Sequence, residues 1–282
     1  MGDGLFDIFQ YAFMQRALLA AVMVAGLCGA LGVFVVLRRT ALMGDALAHT
    51  SFGGIAIGLV AGLLPIEASL IAAIAGGFAL HEMRRRKIYG DLSVAVMYSA
   101  GLAGGVVLLS ATGGLNVSVL AFLFGSILTV TWPDVLMIGV LCAVCAAALL
   151  ALFREFFLMT FDDDDARTSG VPTRWLDLGL TMLLAVTVVL SMRAVGVLLV
   201  ASLLSIPAAS ALQLRLGLGR TIAASMGLAT LAAVGGIILS YYARTATGGT
   251  IVLLSLTIFV TLVGLSAAGG NKKSVVKGGA GA

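Results

Sequence analysis

The run ALLAAVMVAGLCGALGVFVVL at residues 17–37 holds twenty-one positions without a charge and stops at Arg38-Arg39. At a helical rise of ~1.5 Å per residue it measures about 30 Å, the thickness of a bilayer's hydrocarbon core. It lacks the strict alternation of a barrel strand, so a helix is the form that satisfies its backbone in lipid. Comparable runs follow near residues 45–64, 66–82, 91–110, 134–153, 175–192, 196–214, 220–242 and 249–267, separated by short polar connectors. With 61% hydrophobic and 11% charged residues, the 282-residue chain is too apolar for a water-soluble fold of its size. The pattern predicts an all-α, polytopic transmembrane helical bundle of about 8–9 spans.

Charge placement gives the bundle a direction. If all nine runs cross, every one of the 17 Lys and Arg residues falls on one side except Arg16, Arg193 and Arg244. The positive-inside rule then predicts an extracytoplasmic N-terminus and a cytoplasmic C-terminus in a cell (inner or plasma) membrane. The basic pI of 9.2 follows from this bias, so no nucleic-acid partner is expected. Residues 1–268 read as one transmembrane domain, and the Gly-rich, lysine-bearing stretch 269–282 as a disordered cytoplasmic tail.

Some segments depart from the simple span pattern. Val119–Val130 is apolar but too short to cross and is closed by Trp132-Pro133, which suits a re-entrant or interfacial helix. Leu5–Met14 is amphipathic and lacks the basic start and cleavage site of a signal peptide. Cys28, Cys142 and Cys145 all lie within apolar runs and read as packing residues.

The chain has no GxxxxGK[ST] phosphate loop, no HExxH and no GxSxG, so neither nucleotide hydrolysis nor the common hydrolase chemistries are expected of it. His81-Glu82 is half a zinc motif without its second histidine, and Arg84–Lys87 follow at once as a membrane edge. The features that carry chemistry are few. Asp45 and His49, in Gly44-Asp45-Ala46-Leu47-Ala48-His49, stand four apart and share a helix face, where oxygen and imidazole suit a first-row divalent cation. Asp45 alone also reads as a helix N-cap. His49, one turn deeper in an apolar run, calls for a partner or a wet cavity, so metal or proton handling is open for the pair.

A long polar segment near 154–174 holds four consecutive aspartates, Asp162 to Asp165. It predicts a short helix with acid at its N-terminal end, read either as a docking element for a soluble partner or as a solvated loop. Its ligand spacing does not fit an EF-hand. Val195–Ala211 is rich in small residues and carries Pro207 inside it, which predicts a helix kink with close packing or free carbonyls.

Taken in order, the motifs resemble the permease subunits of the zinc/manganese/iron family of ATP-binding-cassette importers. They are Phe13–Leu18, Leu37–His49, Leu123–Leu128, Glu155-Phe156 with Phe161-Asp162 and Ala166–Gly170, and Val195–Ala211. The resemblance covers nearly the whole chain. It implies a type II-like importer permease that is itself non-catalytic and binds no permanent cofactor. Its cargo would be a divalent metal (Mn, Zn or Fe), and its partners a second copy of itself, a cytoplasmic ATPase dimer and an extracytoplasmic metal-binding protein. It also implies that Asp45 and His49 face the pathway and that Glu155, Phe161, Asp162, Ala166 and Gly170 belong to the ATPase-coupling segment. The match departs at Tyr242–Gly248, where an acidic, proline-containing turn is expected. The alternatives are a proton-coupled secondary metal carrier and, less favoured, a membrane-embedded enzyme using a metal-bound water.

Overall fold

The computed structural model describes residues 10–86, 90–111, 130–197 and 200–278. The re-entrant segment expected at Val119–Val130, the Leu123–Leu128 motif and most of Leu5–Met14 therefore lie outside the described residues. Among the described residues there are eleven helices and no strand. They are α1 (Ala12–Leu37), α2 (Leu42–Ala61), α3 (Pro65–Arg85), α4 (Gly90–Ala111), α5 (Trp132–Ala151), α6 (Phe153–Phe161), α7 (Asp163–Thr168), α8 (Thr173–Val195), α9 (Val200–Leu212), α10 (Leu218–Ala243) and α11 (Thr247–Gly278). The expected all-α membrane bundle holds.

Seven of these helices are long and apolar enough to cross a membrane. The 20-residue α2 is diluted by Asp45 and His49, and it packs between α3 and α4, with α8 and α9 also against it. α1 and α2 form the centre: Phe34, Leu47, Phe52 and Ile55 are almost completely buried. The outer helices expose large apolar side chains, among them Ile71, Leu136 and Leu253. Such a surface suits lipid, where helix contacts come from close packing of small residues. Trp132 and Trp175 stand exposed at the starts of α5 and α8, as interfacial anchors do.

Local sequence sets the helix ends. Pro65 opens α3, where its missing N–H costs nothing. Thr131 and Asp134 close a capping box on α5: the Thr131 amide donates to Asp134 at 2.9 Å and the Asp134 amide to the Thr131 hydroxyl at 3.5 Å. α11 runs on to Gly278, past the Ala268 boundary expected for the membrane domain.

The run at 196–214 is a correction. In place of a full span it forms α9, thirteen residues and about 20 Å long, too short to cross. Gly196, at φ +91°, ends α8, and the chain starts afresh at Val200. Leu204 of α9 reaches both Gly32 of α1 and Gly44 of α2. Gly32 lies five residues before the end of α1, roughly 8 Å from it. α9 is thus a half-length helix that begins within the layer.

Candidate functional site

After Leu37 the chain folds back on α1: the Arg39 amide donates to the Val36 carbonyl (3.1 Å) and the Thr40 amide to the Val35 carbonyl (2.9 Å), with Arg39 at φ +56°. α2 starts within five residues of the end of α1, and Gly32 and Gly44 both face Leu204 of α9. Five residues further, about 7 Å along the helix, His49 lies opposite the middle of α4. A Cβ on Gly101 would sit 2.5 Å from the His49 carbonyl carbon, so only glycine admits this approach. Thr50 meets Gly76, halfway along α3, in the same way. Hydropathy alone puts Asp45 near the membrane edge. The packing sets His49 opposite the middle of α4 and Thr50 opposite the middle of α3.

His49 is 4% exposed, and its Nδ1 is buried without a hydrogen-bond partner. Its ring packs edge-on against Tyr98 of α4, with centroids 4.1 Å apart. Asp45 is half-buried on the same face, one turn away. Asp45 is not the N-cap of α2; that position belongs to Ala41, which makes no side-chain cap. An orphaned ring nitrogen in a buried site is costly unless a ligand completes it. Among the described residues no group of three or more His, Cys, Asp or Glu converges, so one chain offers two donors here. Tyr98 is the neighbour that sequence reasoning missed, since nothing local links it to a residue in another span.

The segment near 154–174 folds as two short helices. α6 buries Phe156 and Met159, leaves Phe161 exposed, and holds Glu155 half-buried with its Oε2 unpartnered. Asp162 is the N-cap of α7: its Oδ1 accepts from the amides of Asp164 (2.9 Å) and Asp165 (3.0 Å). Ala166 is buried, and Gly170, at φ +80°, turns the chain toward α8. Glu155, Phe161, Asp162, Ala166 and Gly170 therefore share one compact hairpin, with the acidic and aromatic side chains of Phe161, Asp162, Asp164 and Asp165 pointing outward.

That hairpin is tied to the bundle by a charge cluster. Arg38 Nη1 donates to the Met159 carbonyl at 2.9 Å, and Arg38 Nη2 lies 3.1 Å from Asp177 of α8. Asp177 also holds Arg84 (3.4 Å) and His81 Nδ1 (3.3 Å) at the end of α3, while Asp163 of α7 lies 3.5 Å from Arg38. His81 is thus a structural contact of this junction. Pro207 is buried inside α9, on the half-helix that touches α1 and α2.

Residues 10–266 match the model of the ABC 3 transport family. The chain belongs to that family. The resemblance drawn from the ordered motifs is borne out. The chain is 33% identical to a probable metal transport system membrane protein of Treponema pallidum, over 93% of this chain and 98% of that one. It is 31% identical to the manganese transport system membrane protein MntC of Halalkalibacterium halodurans, covering 90% and 87% of the two chains. Among solved structures, PsaBC from Streptococcus pneumoniae in complex with Fab superimposes with a TM-score of 0.83 at 27% identity, over 92% of this chain and 94% of that one. The family places the chain in a multi-pass membrane transport system.

Proposed function

We propose that this chain is the membrane-spanning subunit of an importer that moves a divalent transition-metal cation into the cytoplasm, with ATP hydrolysed by a separate subunit. The observation that carries the reading is His49: a buried imidazole with an unpartnered ring nitrogen, opposite the middle of α4 and one turn from Asp45. Two donors from one chain leave a cation under-coordinated. A second copy related by a two-fold axis would bring four, two carboxylates and two imidazoles. This set without thiolate accepts Mn, Zn or Fe, and the kinship to a manganese transport protein supports a hard-to-intermediate cation.

In this reading the cation sheds part of its hydration shell onto Asp45 and His49 of both copies. It reaches them from an extracytoplasmic binding protein. The hairpin of α6 and α7 docks on a cytoplasmic ATPase dimer, and Arg38 passes its movement to the turn that precedes α2. Residues 1–268 act as the permease domain, with the N-terminus outside and the C-terminus in the cytoplasm. The separation of α9 from α8, and Pro207 within α9, supply a hinge beside the site.

The test is uptake in proteoliposomes holding this chain with its ATPase and binding protein, with Mn, Zn and Fe measured by elemental analysis. Wild-type protein is expected to accumulate metal only with ATP. Replacing both Asp45 and His49 with alanine is expected to abolish accumulation while the complex still assembles. Unchanged accumulation in that double variant would overturn the site, and ATP-independent accumulation would overturn the importer.

A further inference from the structure

At the arginine-rich end of the bundle lies a cavity of about 340 Å³, bounded by the ends of α1 and α3, by α7, and by the start of α8. Arg38, Arg84, Arg85, Arg167 and Arg174 line it against two carboxylates, Asp163 and Asp177. Glu82 takes up Arg85 at 3.0 Å, which leaves four guanidiniums to two acids. Arg38 is largely buried, yet its Nε makes no hydrogen bond. Arg174 has no carboxylate within reach among the described residues and rests 6.0 Å from the Trp175 ring centroid.

Arg174 is also misplaced with respect to the helix that carries it. It sits in the first turn of the 23-residue α8, which has no acidic residue in that turn, so a cation stands at the positive end of the helix dipole. An anion in the cavity would relieve both the charge excess and the dipole. The exposed Trp175 beside it marks the level of lipid headgroups.

We infer that this cavity binds a phosphate-bearing anion, the headgroup of an anionic phospholipid, held by Arg84, Arg167 and Arg174 over the buried Arg38. Guanidiniums suit phosphate oxygens because their N–H groups fork to two acceptors at once. Basic pockets between membrane helices take such headgroups. The bound lipid would brace α7 against α1, α3 and α8 and so make the orientation of the hairpin depend on bilayer charge. The inference stands apart from the metal reading, since it uses neither Asp45 nor His49.

The experiment is native mass spectrometry of the full chain released from nanodiscs of phosphatidylglycerol, of phosphatidylcholine, and of phosphatidylcholine with added inorganic phosphate. Wild-type protein is expected to retain phosphatidylglycerol and to unfold at a higher temperature in that lipid. At a worth near the water surface of about fivefold per guanidinium, R167Q/R174Q is expected to weaken retention roughly twenty-five-fold. R167K/R174K, which keeps the charge, is expected to retain the lipid at an intermediate level, and R215Q/R220Q, outside the cavity, is expected to behave as wild type. Equal retention by R167Q/R174Q and wild type would overturn the site. So would an equal unfolding temperature of the wild type in the two lipids, a readout that needs no variant. Inorganic phosphate bound by wild type in phosphatidylcholine, with no preference for phosphatidylglycerol, would overturn the lipid as the source of the anion.

Discussion

Asp177 concentrates much of the electrostatics of the arginine-rich end on one carboxylate, since Arg38, His81 and Arg84 all lie within 3.4 Å of it. Replacing it with asparagine removes the negative charge and leaves a part-buried guanidinium facing a neutral amide. The expected loss is ~1–3 kcal/mol, seen as a lower unfolding temperature of the purified chain. Arg38→Lys should cost less in stability but should break the two-point contact with Met159 and Asp177, because an ammonium does not fork. At the site itself, Tyr98→Ala removes the ring that holds the His49 imidazole edge-on. Metal uptake by that variant should fall, and Tyr98→Phe should restore it. Recovery of uptake in the phenylalanine variant is the measurement that separates ring packing from a role for the hydroxyl. None of these contacts was legible in the sequence, for Asp177 is 139 residues from Arg38.

Among the elements, α2 is fixed by glycines on its neighbours. Gly101 lets α4 come within van der Waals contact of the His49 backbone, and Gly76 lets α3 meet the Thr50 side chain. Gly101→Val should therefore push α4 away from α2. The expected cost is ~1–3 kcal/mol of overpacking, together with loss of uptake at unchanged surface expression. Uptake equal to wild type in that variant would show that the register of α2 on α4 does not set the site. The α7 hairpin rests on a local device, the Asp162 cap, and Asp162→Ala should cost ~1 kcal/mol of helix stability. That loss should surface as ATP hydrolysis poorly coupled to transport, checked as the ratio of metal moved to ATP consumed. The short helix α7 was foreseen because its signals are contiguous: four aspartates, then Ala166, then Gly170. The half-length of α9 was not, since residues 196–214 are as apolar as a true span and only packing against Gly32 and Gly44 shows where the helix begins.

For the whole molecule, the proposed sidedness turns on the arginine-rich end, where the ends of α1 and α3, the α6–α7 hairpin and the start of α8 converge. With that end in the cytoplasm, a cysteine placed at Ser169 should react with a membrane-impermeant thiol reagent only from the inner face. One at Thr245, exposed between α10 and α11, should react only from the outer face. The reverse labelling pattern would invert the proposed orientation. Hydropathy carried the fold class well, because it is a sum over long windows and survives errors at single positions.

Composition and spacing alone established that the chain is a helical membrane bundle, where its charged edges lie, and that Asp45 and His49 share a helix face. Those properties depend on composition and on spacing within a few turns, which are local. The setting of His49 against the middle of α4, its unpartnered nitrogen under Tyr98, the half-helix α9 and the meeting of Arg38, His81, Arg84 and Asp177 were decided only by the tertiary structure. Each depends on which helices touch and at what register, and in lipid that choice is made by close packing of small residues from distant spans.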